Sequence, residues 1–302
     1  MKIFLVGATG FVGSYLTPAL LAQGHQVSLL LRNQAKRGPV PPGVQTVVGN
    51  PMLPGEWQRA VAKAELIINL AGANVFTRWT DKSKESIMES RLLSTRHLVE
   101  AMGRGAPKTL INASAAGYYG YLSTEPRTEE SPPGDDFLAR VCVAWEDEAK
   151  KGERSGHRVV LARLAVVLGA GGGALGKMLT PFRLGLGGRI GDGRQPFPWI
   201  HIADLLSIFS FLIDNPEVRG AVNCVAPQQI NNMEFTRAMG RALHRPTLLP
   251  LPGSILRLAM GEVSSAMLSG ARVVPARLEQ QGFKFRYPTI EAALSNLLGG
   301  KE

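Results

Sequence analysis

Along most of the chain, short apolar runs alternate with stretches whose apolar residues recur every three or four positions. This is the pattern of buried parallel strands joined by covering helices. The predicted strands are KIFLVGA (2–8), QVSLLLR (26–32), QTVVGN (45–50), ELIINLAG (65–72), KTLINASA (108–115), RVVLARLAVVLG (158–169) and AVNCVAP (221–227). Most are apolar without strict alternation, so the sheet is expected to be covered on both faces. Helical spacing predicts helices near 11–23, 55–63, 82–104, 137–152, 203–214 and 232–243. Each strand–helix–strand step is a right-handed crossover by default.

The character changes after about residue 170. GAGGGALG reads as a glycine-rich loop, RLGLGGRIGDGRQPFPW as loop with turn residues, and the tail from Pro246 mixes helices with the short run FKFRYP. No internal repeat and no low-complexity tract interrupts the chain. The expected fold is α/β: a Rossmann-type doubly wound parallel sheet with a smaller C-terminal α/β substrate lobe. The expected division is residues 1–170 as the sheet-bearing domain, with 200–226 returning to it, and 171–199 plus 227–302 as the lobe.

Composition narrows the class. With 45% hydrophobic and 19% charged residues over 302 positions, the chain can bury a large core instead of remaining disordered. Cys142 and Cys224 lie far apart in no metal-ligand spacing, so neither a metal nor a disulfide framework is expected, and a reducing, cytoplasmic compartment is. No run approaches the roughly 18 apolar residues of a membrane span. The chain opens on MKIFLVGATG, a strand and not a leader, so a soluble, unprocessed chain without a membrane partner is expected. A formal charge of +10 raises nucleic acid as a partner, but the 34 basic residues are scattered with no dense block, so none is expected. An anionic ligand accounts for part of that charge.

Gly7, Gly10 and Gly13 in GATGFVG fall between the first strand and the first helix. There, missing Cβ atoms serve the tight turn, the close approach of backbone to a pyrophosphate, and helix–strand packing. The helix N-terminus adds unpaired N–H groups and partial positive charge. A site for NAD calls for a carboxylate about 20 residues beyond the glycines. Here Arg32 follows Gly13 by 19 residues, with Asn33, Lys36 and Arg37 nearby. A guanidinium can grip a 2′-phosphate that a carboxylate would repel, so the expected cofactor is NADP(H). The competing reading is an ordinary solvated loop arginine.

GATGFVG, NLAGA (Asn69–Ala73), NASAAGYYG (Asn112–Gly120) and PWIHIADL (Pro198–Leu205) together resemble an extended short-chain dehydrogenase/reductase of the NAD(P)-dependent epimerase/dehydratase superfamily. More narrowly, NLAGANV, SAAGYYG, DDFLARVCVAWE, LGAGGGALGKMLTPFRLGLGG and QGFKFRYPTIEAAL are similar to an atypical epimerase-like subfamily that carries a C-terminal domain of unknown function. The resemblance covers essentially the whole chain. It implies that Gly7, Thr9, Gly10, Phe11, Val12 and Gly13 wrap the pyrophosphate and that Arg32 takes the 2′-phosphate. It also places Leu70, Ala71 and Gly72 along the adenosine half and Ser114 against the nicotinamide. Asn50 stands where many relatives have an aspartate toward the adenine.

The superfamily's acid/base pair is a tyrosine with a lysine four residues on. Aligning on Glu146 of the helix puts Leu138 and Cys142 at those positions. A two-residue shift offers Asp136 and Arg140 instead. Other candidates are Tyr118 and Tyr119, at the carboxyl end of the fifth strand where ligands of open α/β sheets sit, although packing explains either equally well. Arg91 lies beside the stripe Met88, Leu92, Thr95, Val99 and Met102, so its guanidinium is expected to point inward, toward a carboxylate such as Glu89, Asp135 or Asp136, or toward an anionic ligand. Arg163 reads as a cofactor-side base or as half of an internal ion pair. His201 and Asp204 invite a catalytic reading, with packing of the returning helix preferred. Loop 169–176 could close over a substrate or be a surface hairpin, and Lys177, Arg183, Arg189 and Arg194 could attract an anion or be solvated.

These readings support an NADP(H)-dependent oxidoreductase or epimerase acting on a small anionic or sugar-like molecule. The alternative is a catalytically silent NADPH sensor or partner-binding protein, which the resemblance links to cell division. Nucleic-acid binding rests on the net charge alone, and a homodimer is left open.

Overall fold

The computed structural model describes residues 1–33, 42–120 and 122–299, with backbone alone for 122–124. β1 (Lys2–Val6) turns into α1 (Phe11–Ala22), and β2 (Gln26–Leu31) and β3 (Gln45–Val48) follow. Next come α2 (Gln58–Lys63), β4 (Leu66–Asn69), the long α3 (Asp81–Met102) and β5 (Thr109–Ala115). The middle of the chain holds β6 (Leu122–Arg127), α4 (Phe137–Lys150), β7 (Arg158–Leu164), β8 (Val166–Leu168) and α5 (Gly173–Arg183). It continues through β9 (Trp199–His201), α6 (Ile202–Asp214) and β10 (Gly220–Cys224). The C-terminal part comprises α7 (Asn232–Leu243), α8 (Gly253–Met260), α9 (Ser264–Leu268), β11 (Gly270–Val273), α10 (Ala276–Gln280) and α11 (Ile290–Leu298).

Among the described residues, seven strands form one parallel sheet in the order β3-β2-β1-β4-β5-β7-β10. The unbroken apolar runs have a simple cause. Ile3, Leu5, Leu29, Ile68 and Ile111 face one layer, with Leu16 and Leu20 of α1 and Leu205, Ile208 and Phe209 of α6. Their neighbours Phe4, Val6, Ile67, Leu110 and Leu161 face the other, against Trp57, Val61, Leu98 and Met102. A side-chain period of two therefore meets apolar cover on both sides.

Two expectations are corrected. The run 158–169 is two strands: beyond Ala165 the chain leaves the main sheet, and β8 pairs with β9 in a separate parallel ribbon. GAGGGALG is not loop throughout, because α5 begins at Gly173. A second ribbon, β6 with β11, joins segments that the hydrophobic pattern did not mark as strands. Strand order reverses direction between β1 and β4, and the crevice at such a reversal is where an open parallel sheet takes its ligands. No helix among the described residues is long and apolar enough to cross a membrane.

Candidate dinucleotide and substrate site

Gly7 follows β1 with φ +85, and a Cβ there would come within 2.7 Å of the Leu70 carbonyl carbon. Gly10 caps α1 without a side-chain bond, and its N–H donates to the Gly7 carbonyl at 3.0 Å. A Cβ on Gly13 would lie 2.4 Å from the Gly7 oxygen, so α1 packs directly on the turn. The first-turn amides of Phe11, Val12 and Gly13 have no intrahelical acceptor, and no acidic residue occupies that turn. The result is an open cradle of N–H groups at the positive end of a helix, which could hold a diphosphate. Thr9 is exposed at its rim, and Arg32 is exposed just beyond the tip of the adjacent β2. Lys36 and Arg37 lie outside the described residues.

The opposite wall is the segment after β4. Asn69 is buried, and its Oδ1 accepts the Ala71 N–H at 3.1 Å, which fixes the course of Leu70, Ala71 and Gly72. Its Nδ2 donates to Asn112 Oδ1 at 2.7 Å and to Thr95 Oγ1 at 3.0 Å, and Trp145 Nε1 donates to Thr95 at 2.8 Å. One polar cluster thus ties β4, β5, α3 and α4 together beneath the crevice. Asn50 is exposed and turns its Oδ1 to the Met52 N–H.

Arg91 is half-buried under this wall. Its guanidinium donates to the carbonyls of Ala73 (3.1 Å) and Ile87 (3.0 Å) and lies 5.1 Å from the Trp145 ring. Among the described residues it meets no carboxylate, so the expected Glu89, Asp135 or Asp136 partner is corrected to backbone carbonyls and an indole face. A Cβ on Gly72 would stand 2.9 Å from its Cζ, so Gly72 lies on the guanidinium. α3 turns Ile87, Leu98 and Met102 fully inward, while Met88 and Leu92 of the expected stripe stay half-buried.

The end of β5 is built around Glu146 of α4, which the sequence used only as an alignment anchor. Its carboxylate is fully buried, accepts the Ser114 hydroxyl at 2.7 Å, and receives Arg163 Nε and Nη2 at 2.8 Å each. Arg163 Nη1 donates to the Tyr119 hydroxyl at 2.8 Å, and that hydroxyl donates to Asn223 at 2.7 Å. Burial opposes the charge on Arg163, but the bonds and charge of Glu146 outweigh it and hold the guanidinium above its ordinary range. Burial likewise pushes the Tyr119 phenol up to about 12, despite Arg163. Ser114 and Tyr119 are therefore sealed in a satisfied network. Tyr118 differs: its half-buried ring carries Arg163 at 3.5 Å, and its hydroxyl has no hydrogen-bond partner among the described residues.

At the two aligned positions, Leu138 packs near Gly117 and Cys142 is a buried thiol. Burial, then Glu146, push that thiol up to about 12, so it supplies no cation and no thiolate at neutral pH. The shifted pair is not assembled. Asp136 caps α4 by accepting the Leu138 and Ala139 N–H groups, and burial raises its pKa, while Arg140 turns to the Asp135 carbonyl. His201 caps α6, accepting the Ala203 N–H at 3.0 Å, and Asp204 accepts the Arg286 and Tyr287 amides at 2.7 and 2.9 Å. Lys177, Arg183, Arg189 and Arg194 are exposed. No group of three or more His, Cys, Asp or Glu placed to hold a metal occurs among the described residues.

A contact invisible in the sequence joins the glycine-rich segment to α1. The Phe11 ring lies under Gly169, Gly172 and Gly173, where a Cβ on Gly173 would approach it to 2.7 Å, and the Tyr15 hydroxyl donates to the Ala170 carbonyl at 2.6 Å. The glycine-rich segment is thereby packed on the first turns of α1, beside the cradle.

A glycine cradle at the switch point of a seven-stranded parallel sheet defines a dinucleotide-fold protein, and the NAD dependent epimerase/dehydratase family model matches residues 3–224. A domain of unknown function, DUF1731, matches residues 251–297. The chain belongs to this epimerase/dehydratase family. Epimerase family protein MT2273 of Mycobacterium tuberculosis is 39% identical over 295 residues, covering 97% of this chain and 96% of that protein. The human epimerase family protein SDR39U1, solved with NADPH, is 36% identical over 100% of both chains with a TM-score of 0.87. The Thermus thermophilus UDP-glucose 4-epimerase, solved with NAD, aligns at TM-score 0.77 with 19% identity over 100% of both chains, a likeness of fold alone.

Proposed function

We propose that this chain binds NADP(H) in the cradle of Gly7, Thr9, Gly10, Phe11, Val12 and Gly13 and acts as an oxidoreductase or epimerase on a small anionic or sugar-like molecule. The observation that carries the reading is the cradle itself: side-chain-free backbone against the end of β4, with the exposed Arg32 at the tip of β2. The 36% identical human protein solved with NADPH supports it. In this reading Arg32 grips the 2′-phosphate, and Leu70, Ala71 and Gly72 line the adenosine half. Residues 171–199 and 227–302 supply the substrate side. When bound, NADP(H) supplies or accepts a hydride at its nicotinamide ring.

The residues of β5 then divide their work. Glu146 and Arg163 fix Ser114 and Tyr119 as a rigid floor, and the free Tyr118 hydroxyl, without a partner among the described residues, supports assigning to Tyr118 the transfer of a proton to substrate. Fluorescence titration should show NADPH bound more tightly than NADH, and Arg32→Asp should remove that preference. A preference unchanged in the variant would remove the phosphate grip from the account.

One observation favours a second reading, a cofactor-binding protein without turnover. In the register that the family resemblance implies, Leu138 and the buried Cys142 fall at the positions of the acid/base pair. Label carried on the nicotinamide of NADPH separates the two, since an enzyme transfers it to some metabolite of a cell extract and a sensor keeps it.

A further inference from the structure

The C-terminal lobe carries an exposed apolar surface that the proposed dinucleotide site does not use. Leu184 and Leu186 follow α5, and Leu248, Leu249 and Leu251 precede α8, all of them exposed. These two segments touch along their backbones: Gly191 N–H donates to the Leu251 carbonyl, Leu251 N–H donates to the Arg189 carbonyl, and Ile190 bridges to Leu251. α8, which follows Leu251 directly, exposes Ile255 and Leu258 about one helical turn apart. Leu248 is 84% and Leu258 86% exposed, so they project instead of lining a groove. An isolated exposed leucine is ordinary, but a contiguous set marks a contact surface.

The charge around this surface is mostly positive: Asp192 lies exposed beside Arg189 and Glu262 follows α8, but Glu262 is paired with Lys84 and the arginines outnumber both. Residues 235–261 contain no aspartate or glutamate and four arginines, Arg237, Arg241, Arg245 and Arg257. Arg245 Nε donates to the Arg183 carbonyl at 3.0 Å, which brings both arginines to the leucine-bearing segments, and Arg257 is exposed next to Leu258 in the sequence of α8. Arg241 pairs with Glu291, whereas Arg183, Arg189, Arg245 and Arg257 have no carboxylate partner among the described residues.

We infer that this surface docks the protein on an anionic lipid bilayer, with the leucines entering the acyl boundary and the arginines meeting lipid phosphates. Charge decides against a second copy of the chain. A two-fold interface would bring the same unpaired arginines face to face. Projecting aliphatic side chains also suit a fluid that closes around them better than a rigid partner that must offer a pocket for each. That no helix among the described residues is long and apolar enough to cross a membrane does not bear on this, because a surface-bound protein needs none.

Co-sedimentation of the full chain with vesicles tests the inference. The chain should pellet with vesicles containing phosphatidylglycerol and not with pure phosphatidylcholine, and less so as salt rises. Arg183→Gln and Arg257→Gln should each weaken retention about fivefold, and Leu248→Asp with Leu258→Asp should abolish it while the circular dichroism melt stays that of the parent. Equal retention on both vesicle types, or retention undiminished in the arginine variants, overturns the inference. So does failure to pellet with either vesicle, whether the chain then sediments as a monomer or as a dimer that the leucine variants dissociate.

Discussion

The Glu146–Arg163 pair is the most consequential single contact beneath the crevice. Arg163, 3% exposed, holds five partners' worth of geometry: two carboxylate oxygens, the Tyr119 hydroxyl, the Glu129 carbonyl and the face of Tyr118. Desolvating both charges removes most of what the pair gains, but removing one partner leaves the other buried and unmatched. Glu146→Gln should therefore destabilise the protein by about 3 kcal/mol, read as a lowered urea midpoint, and Glu146→Gln with Arg163→Met should recover part of it. A single-variant loss below about 0.5 kcal/mol would show that Arg163 finds another partner. The glycines were readable because their spacing lies within one turn, whereas this pair was not. Glu146 and Arg163 are on a helix and a strand 17 positions apart, and Tyr119 meets Asn223 across 104 positions. In the sequence Glu146 marks only the register of its helix, and packing reveals its chemistry.

At the scale of elements, α5 shows how tertiary contact overrides composition. Glycines at 169, 171, 172, 173 and 176 read as loop, yet Leu175 and Phe182 bury into the core and hold eleven residues helical. The two glycines inside this helix have opposite physics. Gly173 sits at φ +61 with Phe11 against it, whereas Gly176 has ordinary helical φ and nothing within 4 Å of an added Cβ. Gly176→Ala should stabilise the protein by about 0.5–1 kcal/mol, while Gly173→Ala should destabilise it by about 1–2 kcal/mol or more. Thermal or urea melts of both variants check this, and two shifts of the same sign would mean that α5 is not docked on Phe11 in solution. The main strands were legible because cover on both faces leaves a continuous apolar signature. The ribbons β6–β11 and β8–β9 were not, since three to six residues carry no periodicity that names a partner elsewhere in the chain.

For the whole molecule, acid sensitivity follows from how the tail is tied down. His201 accepts the Ala203 N–H through Nδ1, meets Asn296 Oδ1 at 3.2 Å, and stacks at 3.9 Å on Tyr287 of the C-terminal segment whose amides Asp204 receives. Protonating Nδ1 would remove the acceptor that caps α6, and burial lowers the pKa of His201 below its ordinary 6.5, with Asp204 only partly opposing. The unfolded chain therefore binds the proton more readily than the folded one. Stability is intact above 6.5 and declines as pH falls from there toward the lower folded value. His25 is shifted the same way, by burial and then by the N-terminus, but it is more exposed and belongs to no such junction. Both protonations add to a formal charge already at +10, so self-repulsion acts in the same direction. Glu148, held below its ordinary 4.5 by Arg96 and Lys151 against its burial, loses its contribution only at lower pH, which leaves the histidine window distinct. The urea midpoint should fall between about pH 7 and about pH 5, and His201→Asn, which keeps a capping acceptor without a titrating ring, should flatten most of that slope. A slope unchanged in this variant would assign the acid sensitivity to His25 or to net charge, and would detach the α6 cap from the protein's response to pH.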